Sequence, residues 1–153
     1  MGAIILWYNY LVGDDFMKLI EINESYLSQI KALYEESGWS AYLADDEKLS
    51  RAIKNSLLTL GYMDEDELLG FVRCVGDAEH VVLVQDLIVK KDYRRKGLAK
   101  KLMDEVFEKY KDVRWIQVNT DAMDEVANAF YKAIGMKEIS EAGTVSYLNR
   151  RAI

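Results

Sequence analysis

VVLVQDLIVKKDYRRKGLAKKLMDEVFEKY, residues 81–110, decides how the rest of the chain is read. Seven of its first nine residues, Val81 to Val89, are Val, Leu or Ile, the composition of a strand buried on both faces. A charged loop follows from Lys90 to Lys96, then Gly97, then a helical pattern with Leu98, Leu102, Val106 and Phe107 on one face. The order is buried strand, basic glycine loop, amphipathic helix. A helix that starts this way points unpaired N–H groups and the positive end of its dipole at whatever lies before it. Anions, phosphates above all, bind there.

The loop is basic against the trend of the chain. Seven cations (Lys90, Lys91, Arg94, Arg95, Lys96, Lys100, Lys101) stand against one anion, Asp92, in a chain whose totals are 20 cations and 26 anions. A solvated helix start would account for some lysines. It does not explain why they gather at the helix end where the dipole disfavours them, around a glycine that lets backbone approach a ligand. A bound polyanion explains both.

Arg94-Arg95-Lys96-Gly97-Leu98-Ala99 resembles the R/Q-x-x-G-x-G/A acetyl-CoA motif of the GNAT superfamily of N-acetyltransferases, with the same strand before it and helix after it. Asn128-Ala129-Phe130-Tyr131, closing at Gly135-Met136, resembles the N-x-x-[FY]-Y…G-[FM] pattern of that family's last helix. The two matches cover Val81 to about Glu138, and the family's layout fits from Met17 onward. Ala99 stands where many members have glycine. Neither G-x-x-x-x-G-K-[ST] nor G-x-G-x-x-G occurs.

The 153 residues suit one domain, and half of them are hydrophobic, enough for a substantial core. A net charge of −6 argues against a nucleic-acid partner and suits a cationic substrate better. The single cysteine, Cys74, excludes an internal disulfide and fits a reducing cytosol, so a cytoplasmic location is expected. No stretch reaches the roughly 18 apolar residues of a membrane span. His80, the only histidine, is expected at the surface of a turn, and no metal site is suggested. Residues 1–16 read as an N-terminal extension to a single domain over 17–153, with an apolar run that needs something to pack on, such as a partner subunit.

In chain order, Lys18 to Ile22 reads as a strand. A helix over Tyr26 to Glu36 shows Leu27, Ile30, Leu33 and Tyr34 on one face and stops at Gly38. Trp39 to Tyr42 is a loop with two large aromatics, and a second helix runs from about Asp46 to Ser56. Leu57 to Met63 and Glu67 to Val75 form a hairpin around Asp64-Glu65-Asp66. After the 97–110 helix come a strand over Val113 to Asn119 and a helix capped by Asp121 or Asp124 running to about Ile134. That helix should turn Val126, Phe130, Ala133 and Ile134 to the core. Met136 to Ile139 and Thr144 to Leu148 read as a closing hairpin.

The resemblance implies an α+β fold: a central, mostly antiparallel mixed sheet of about seven strands, flanked by about four helices and splayed between the fourth and fifth strands. It implies an acetyl-CoA-dependent N-acetyltransferase acting on a primary amine of a small molecule by direct attack in a ternary complex, with no metal. The pyrophosphate would rest on backbone N–H groups of Arg95, Lys96, Gly97, Leu98, Ala99 and Lys100, with Arg94 and Lys96 adding charge. The amide-rich arm would bond to the edge of Leu87, Ile88 and Val89 as an added strand, and Asn128 would contact it. Tyr131 would donate to the leaving thiolate. Asp86, a charge inside a buried strand, would serve as base or substrate anchor, unless it pairs structurally with Arg73. Trp39 and Tyr42 would contact the acceptor. A homodimer is a family-level expectation. Two alternatives stay open: a non-catalytic acyl-CoA-binding sensor or regulatory module, and a peptide or protein N-acetyltransferase.

Overall fold

The computed structural model describes residues 8–12 and 15–150, with side chains from Met17 onward. The chain divides after Val118 into two compact units. The first holds one six-stranded sheet in the order β1 (Tyr8–Val12), β2 (Asp15–Glu21), β3 (Leu58–Asp64), β4 (Glu67–Gly76), β5 (Val81–Val89) and β6 (Trp115–Val118). Neighbours are antiparallel except the last pair, β5 and β6, which run parallel. The antiparallel pairs follow from short turns; the parallel pair needs the crossover helix between them.

Part of the expected extension is sheet. Tyr8–Val12 pairs with β2, Tyr8 opposite Leu19, while residues 1–7 and 13–14 lie outside the described residues. Helices α1 (Leu27–Glu36) and α2 (Asp46–Lys54) pack on one sheet face. Their buried stripe, including Ile30, Leu33 and Ile53, meets Phe71 of β4 and Ile88 of β5. Each such side chain contributes about 1.5–3 kcal/mol when fully buried. Gln29 of α1 also clamps the β3–β4 turn, donating to the Asp66 carbonyl at 3.1 Å and accepting from the Leu68 N–H at 2.7 Å. Asp45 caps α2 by accepting from the Lys48 N–H.

Helix α3 (Leu98–Lys109) buries Leu98, Leu102, Met103 and Val106. Burial and the nearby Cys74 and Glu21 push the hydroxyl of Tyr110, at its C-terminal end, up to about 12. Cys74 follows Arg73 in β4, so the two point to opposite faces. Helix α3 therefore covers the Cys74 face, and α1 and α2 the Arg73 face.

The second unit corrects two expectations. Helix α4 (Glu125–Ala133) forms where expected, capped by Asp124, but buries no residue: Val126 is 78 % exposed, Ala133 is exposed, and Phe130 and Ile134 are half-buried. The hairpin expected over 136–148 is a 3-10 turn, Ile139–Ala142, closing at Gly143, with no strand among the described residues after Val118. The alternating apolar residues there gave a strand reading, but within its own unit this segment has no ladder to join, and an isolated hairpin is marginal. Tyr147 is accordingly 94 % exposed. The sheet thus has six strands, not about seven. Among the described residues no helix is long and apolar enough to cross a membrane, and no three His, Cys, Asp or Glu side chains gather as metal ligands would.

Candidate active site

Strand β5 carries an extra residue. Cys74 faces Val84 and Arg73 faces Asp86, so Gln85 has no partner of its own in the β4 register. Such a bulge changes which face the following side chains take. Val84 sits opposite Cys74, whereas Asp86 and Ile88 turn to the face covered by α1 and α2. Without the bulge, Val84 and Asp86 would share a face by simple alternation. Gln85 comes to the same side as Asp86 and shares one of its partners, Tyr42.

Asp86 is 2 % exposed and accepts three hydrogen bonds. Arg73 Nε donates to Oδ2 at 2.6 Å, Tyr34 Oη to Oδ2 at 2.8 Å and Tyr42 Oη to Oδ1 at 2.8 Å. Gln85 Nε2 donates to Tyr42 Oη at 3.0 Å, and Arg73 Nη1 reaches Ser56 Oγ at 3.2 Å. Burial works against the Arg73 guanidinium's charge, but Asp86 outweighs it and holds its pKa above the usual value. Burial, then the Asp86 carboxylate, raise both the Tyr34 and Tyr42 hydroxyls. The rings add to the order: Tyr34 stacks on Tyr42 with centroids 4.5 Å apart and on Trp39 at 5.9 Å.

The expected roles of these residues change accordingly. Trp39, Tyr42 and Asp86 do come together, and Asp86 does pair with Arg73. Both carboxylate oxygens already accept from protein donors, so Asp86 is the buried hub of this wall. Tyr34 was legible only as a core position of α1. The signal was available: a buried tyrosine hydroxyl needs a partner, and so does a buried aspartate.

The other side of β5 is open. Pairing with β6 begins at Val81–Trp115 and ends at Val84–Val118. From Gln85 to Val89 the strand has no neighbour on that side among the described residues, which is the splay expected between the fourth and fifth strands counted from Met17. Lys90 N–H donates to the Leu69 carbonyl of β4. By antiparallel alternation Ile88 also faces β4, and the backbone groups of Leu87 and Val89 face the open side. The Val89 carbonyl accepts from Arg94 Nε at 3.0 Å. Of the three residues expected along this edge, Ile88 spends its backbone on the sheet. Gly70 lets the strands close up here, because a Cβ on it would lie 2.7 Å from the Ile88 carbonyl oxygen.

After β5, the chain makes a 3-10 turn over Lys91–Tyr93 and enters α3. Arg95 has φ +63° and Gly97 φ +81°, with Lys96 of ordinary sign between them. Alternation of hand is how backbone N–H groups form an anion-binding nest. For Arg95 the left-handed conformation costs on the order of 1–3 kcal/mol. Gly97 is the N-cap and no side chain caps α3, while the space beside its Cα is empty. Lys90 pairs with Glu67, and Lys100 with Asp104 at 2.7 Å. Lys96 lies over the Tyr93 ring. Arg95 and Lys91 are exposed and have no carboxylate partner for their side chains among the described residues.

Asn128 and Tyr131 belong to the second unit, three residues apart on one face of α4. Asn128 Nδ2 donates to the carbonyls of Asp121 and Asp124, both at 2.8 Å, so its amide hydrogens hold the start of α4. Tyr131 is half-buried with Phe130 edge-on to it, and burial and the Asp124 charge push its hydroxyl up to about 12.

The sequence model of the acetyltransferase (GNAT) family matches residues 19–136. The chain is 29 % identical over 140 residues to the uncharacterized N-acetyltransferase ycf52 of Gracilaria tenuistipitata var. liui, covering 86 % of this chain and 74 % of that one. A GNAT-family acetyltransferase of Streptococcus pneumoniae TIGR4 superposes with a TM-score of 0.74 at 29 % identity, over 88 % of this chain and 99 % of that one. AAC(6')-Iy, solved with the bisubstrate analogue CoA-S-monomethyl-acetylneamine, superposes with a TM-score of 0.64 at 22 % identity, over 89 % and 99 %.

Proposed function

The chain belongs to the acetyltransferase (GNAT) family, and on that footing we propose that it moves the acetyl group of acetyl-CoA to a primary amine of a small molecule, by direct attack in a ternary complex. The observation that carries this reading is the open edge of β5, one turn away from an uncapped basic helix start. An amide-rich arm would add to Leu87 and Val89 as a strand. A pyrophosphate would take the N–H groups from Arg95 to Lys100, with Arg94, Arg95 and Lys96 supplying charge. Gly97 keeps that approach open. Acetyl-CoA supplies an activated thioester acyl group when bound.

Tyr131 stays protonated across the neutral range, and its part is to donate a hydrogen bond to the departing sulfur. Asn128 has its carbonyl oxygen left to offer the cofactor arm. Trp39 and Tyr42 form an aromatic wall suited to a cationic or arylalkyl amine, and the fold is shared with an enzyme solved with an acetylneamine analogue. With both Asp86 oxygens engaged by protein donors, the amine attacks in its free neutral form. A buried Cys74 suits a reducing compartment.

Calorimetric titration with acetyl-CoA and, separately, ATP tests the cofactor assignment. Selective binding of acetyl-CoA is expected, followed by thiol release with primary amines. No binding at micromolar acetyl-CoA would overturn the reading.

A further inference from the structure

The hydrogen-bond network around Asp86 has only one consistent direction. Arg73 Nε can only donate, so Asp86 Oδ2 accepts. Tyr42 lies 2.8 Å from Asp86 Oδ1 and has one hydroxyl hydrogen, which the carboxylate takes. The Tyr42 oxygen is then left as an acceptor. Gln85 must turn its NH₂ toward it, as the 3.0 Å contact from Nε2 records. The amide orientation of Gln85 follows from the charge at Asp86, two bonds upstream, and not from a choice between two equal flips. Its other end, Oε1, is therefore aimed away from the network as a bare acceptor. No partner is recorded for it among the described residues. Gln85 is exposed and stands where pairing with β6 has just ended at Val84, at the apex of the splay and beside the ring of Tyr42.

We propose that Gln85 is a specificity-determining residue for the acceptor, its Oε1 accepting an N–H of the incoming primary amine. This rests on the acetyltransferase reading above and deepens it. The chemistry suits the task. A carboxylate here would hold the acceptor firmly as an ammonium ion, whereas a neutral amide oxygen orients an N–H and stabilises the charged form less than a carboxylate does. Arg73, Asp86 and Tyr42 act through Gln85 as positioning residues: they fix which end of the amide faces out.

The test compares 2-phenylethylamine with its N,N,N-trimethyl analogue, which keeps the ring and a positive charge but has no N–H to donate. Both are titrated calorimetrically into the full chain, wild type and Gln85→Leu, with thermal unfolding as the check on folding. Wild type should prefer the primary amine by about tenfold, the worth of one hydrogen bond to a charged group. Gln85→Leu should lose that preference while its binding of the trimethyl analogue is unchanged. A residue that merely braces Tyr42 would weaken both ligands equally, and that result overturns the assignment. An unchanged preference in the variant, or no preference in wild type, also overturns it. Gln85→Glu is the second variant. It should bind the ammonium form more tightly and shift the acidic limb of the kcat–pH profile to higher pH, and an unshifted limb counts against Gln85. Acetyl-CoA titrated into the same preparations tests the parent reading separately: if it binds and the amine preference is unmoved, Gln85 alone falls.

Discussion

The two ends of the Gln85–Val89 segment solve opposite problems. At one end Asp86 and Arg73 carry full charges inside the protein, and the carboxylate accepts three hydrogen bonds from protein donors. At the other, Arg95, Lys96 and an uncapped helix start face solvent with much of their charge uncompensated. A buried network must be complete before any ligand arrives, because an unpaired charge there is too costly. An exposed cationic loop can stay incomplete, because water solvates it until an anion replaces the water. The closed end therefore fixes shape and polarity, and the open end keeps its charge available to an anion.

Breaking the closed end should have the largest effect. Asp86→Ala leaves the Arg73 guanidinium buried without its counter-ion, a loss of about 3–5 kcal/mol and on the order of 10 °C in Tm. The combined replacement Arg73→Leu, Asp86→Leu and Tyr34→Phe should recover most of it, since well-packed apolar groups often match a buried ion pair and no Tyr34 hydroxyl is left stranded. Urea unfolding of wild type and the two variants measures this. A single variant within about 0.5 kcal/mol of wild type would show that the network is not closed.

The contrast also explains what could be read from sequence. The backbone of the open end was legible nearly residue by residue, because its order depends on local sequence: strand, basic run, Gly97, helix. The strand limits Val81–Val89 and the helix Leu98–Lys109 follow from local composition too. The closed end was legible in parts only. Asp86 stood out as a charge in an apolar strand, but its partners Tyr34 and Tyr42 lie 52 and 44 residues away, and nothing local pairs them. The bulge at Gln85 depends on how β4 and β5 register, which one strand cannot state. The second unit was misread for the same reason: the apolar stripe of α4 and the alternation over 144–148 say that a partner surface is wanted, not that one is present.

Tyr131→Phe comes next in size. If the phenol donates to the departing sulfur, kcat should fall about 10²-fold, with acetyl-CoA affinity unchanged by calorimetry. A variant that loses affinity and keeps kcat would make Tyr131 part of the binding surface instead. The pH–rate profile separates the two further. With the Tyr131 hydroxyl at about 12 and Asp86 closed, kcat/KM in wild type should rise with pH through the amine's own titration, with no descending limb below about pH 10.

Tyr42→Phe probes the closed end more gently. It removes one donor from Asp86 and should cost about 1–2 kcal/mol at pH 7. The sign of its pH dependence is fixed. The Tyr42 hydroxyl is raised by burial and by Asp86, so the stability it contributes is complete below the unfolded value near 10 and is lost as pH rises through the folded value. The gap between wild type and variant in unfolding experiments should narrow from pH 10 upward, and a gap that widens would contradict the bond.

The smallest effects should come from single cations of the open end, and they should differ among themselves. Arg95 is exposed without a carboxylate partner, whereas Lys100 is already held by Asp104 at 2.7 Å. An unpaired cation gives all its attraction to an arriving phosphate; a paired one must first be shared with its carboxylate. Arg95→Ala should therefore weaken acetyl-CoA binding by about fivefold to tenfold, and Lys100→Ala by about twofold or less. Both losses should shrink as salt rises from 0.05 to about 0.5 M, because the charges are exposed and screened. Neither variant should move Tm by more than about 2 °C. Equal losses for the two variants would mean that the loop acts as a diffuse field, and that the backbone N–H groups around Gly97, rather than particular side chains, select the anion.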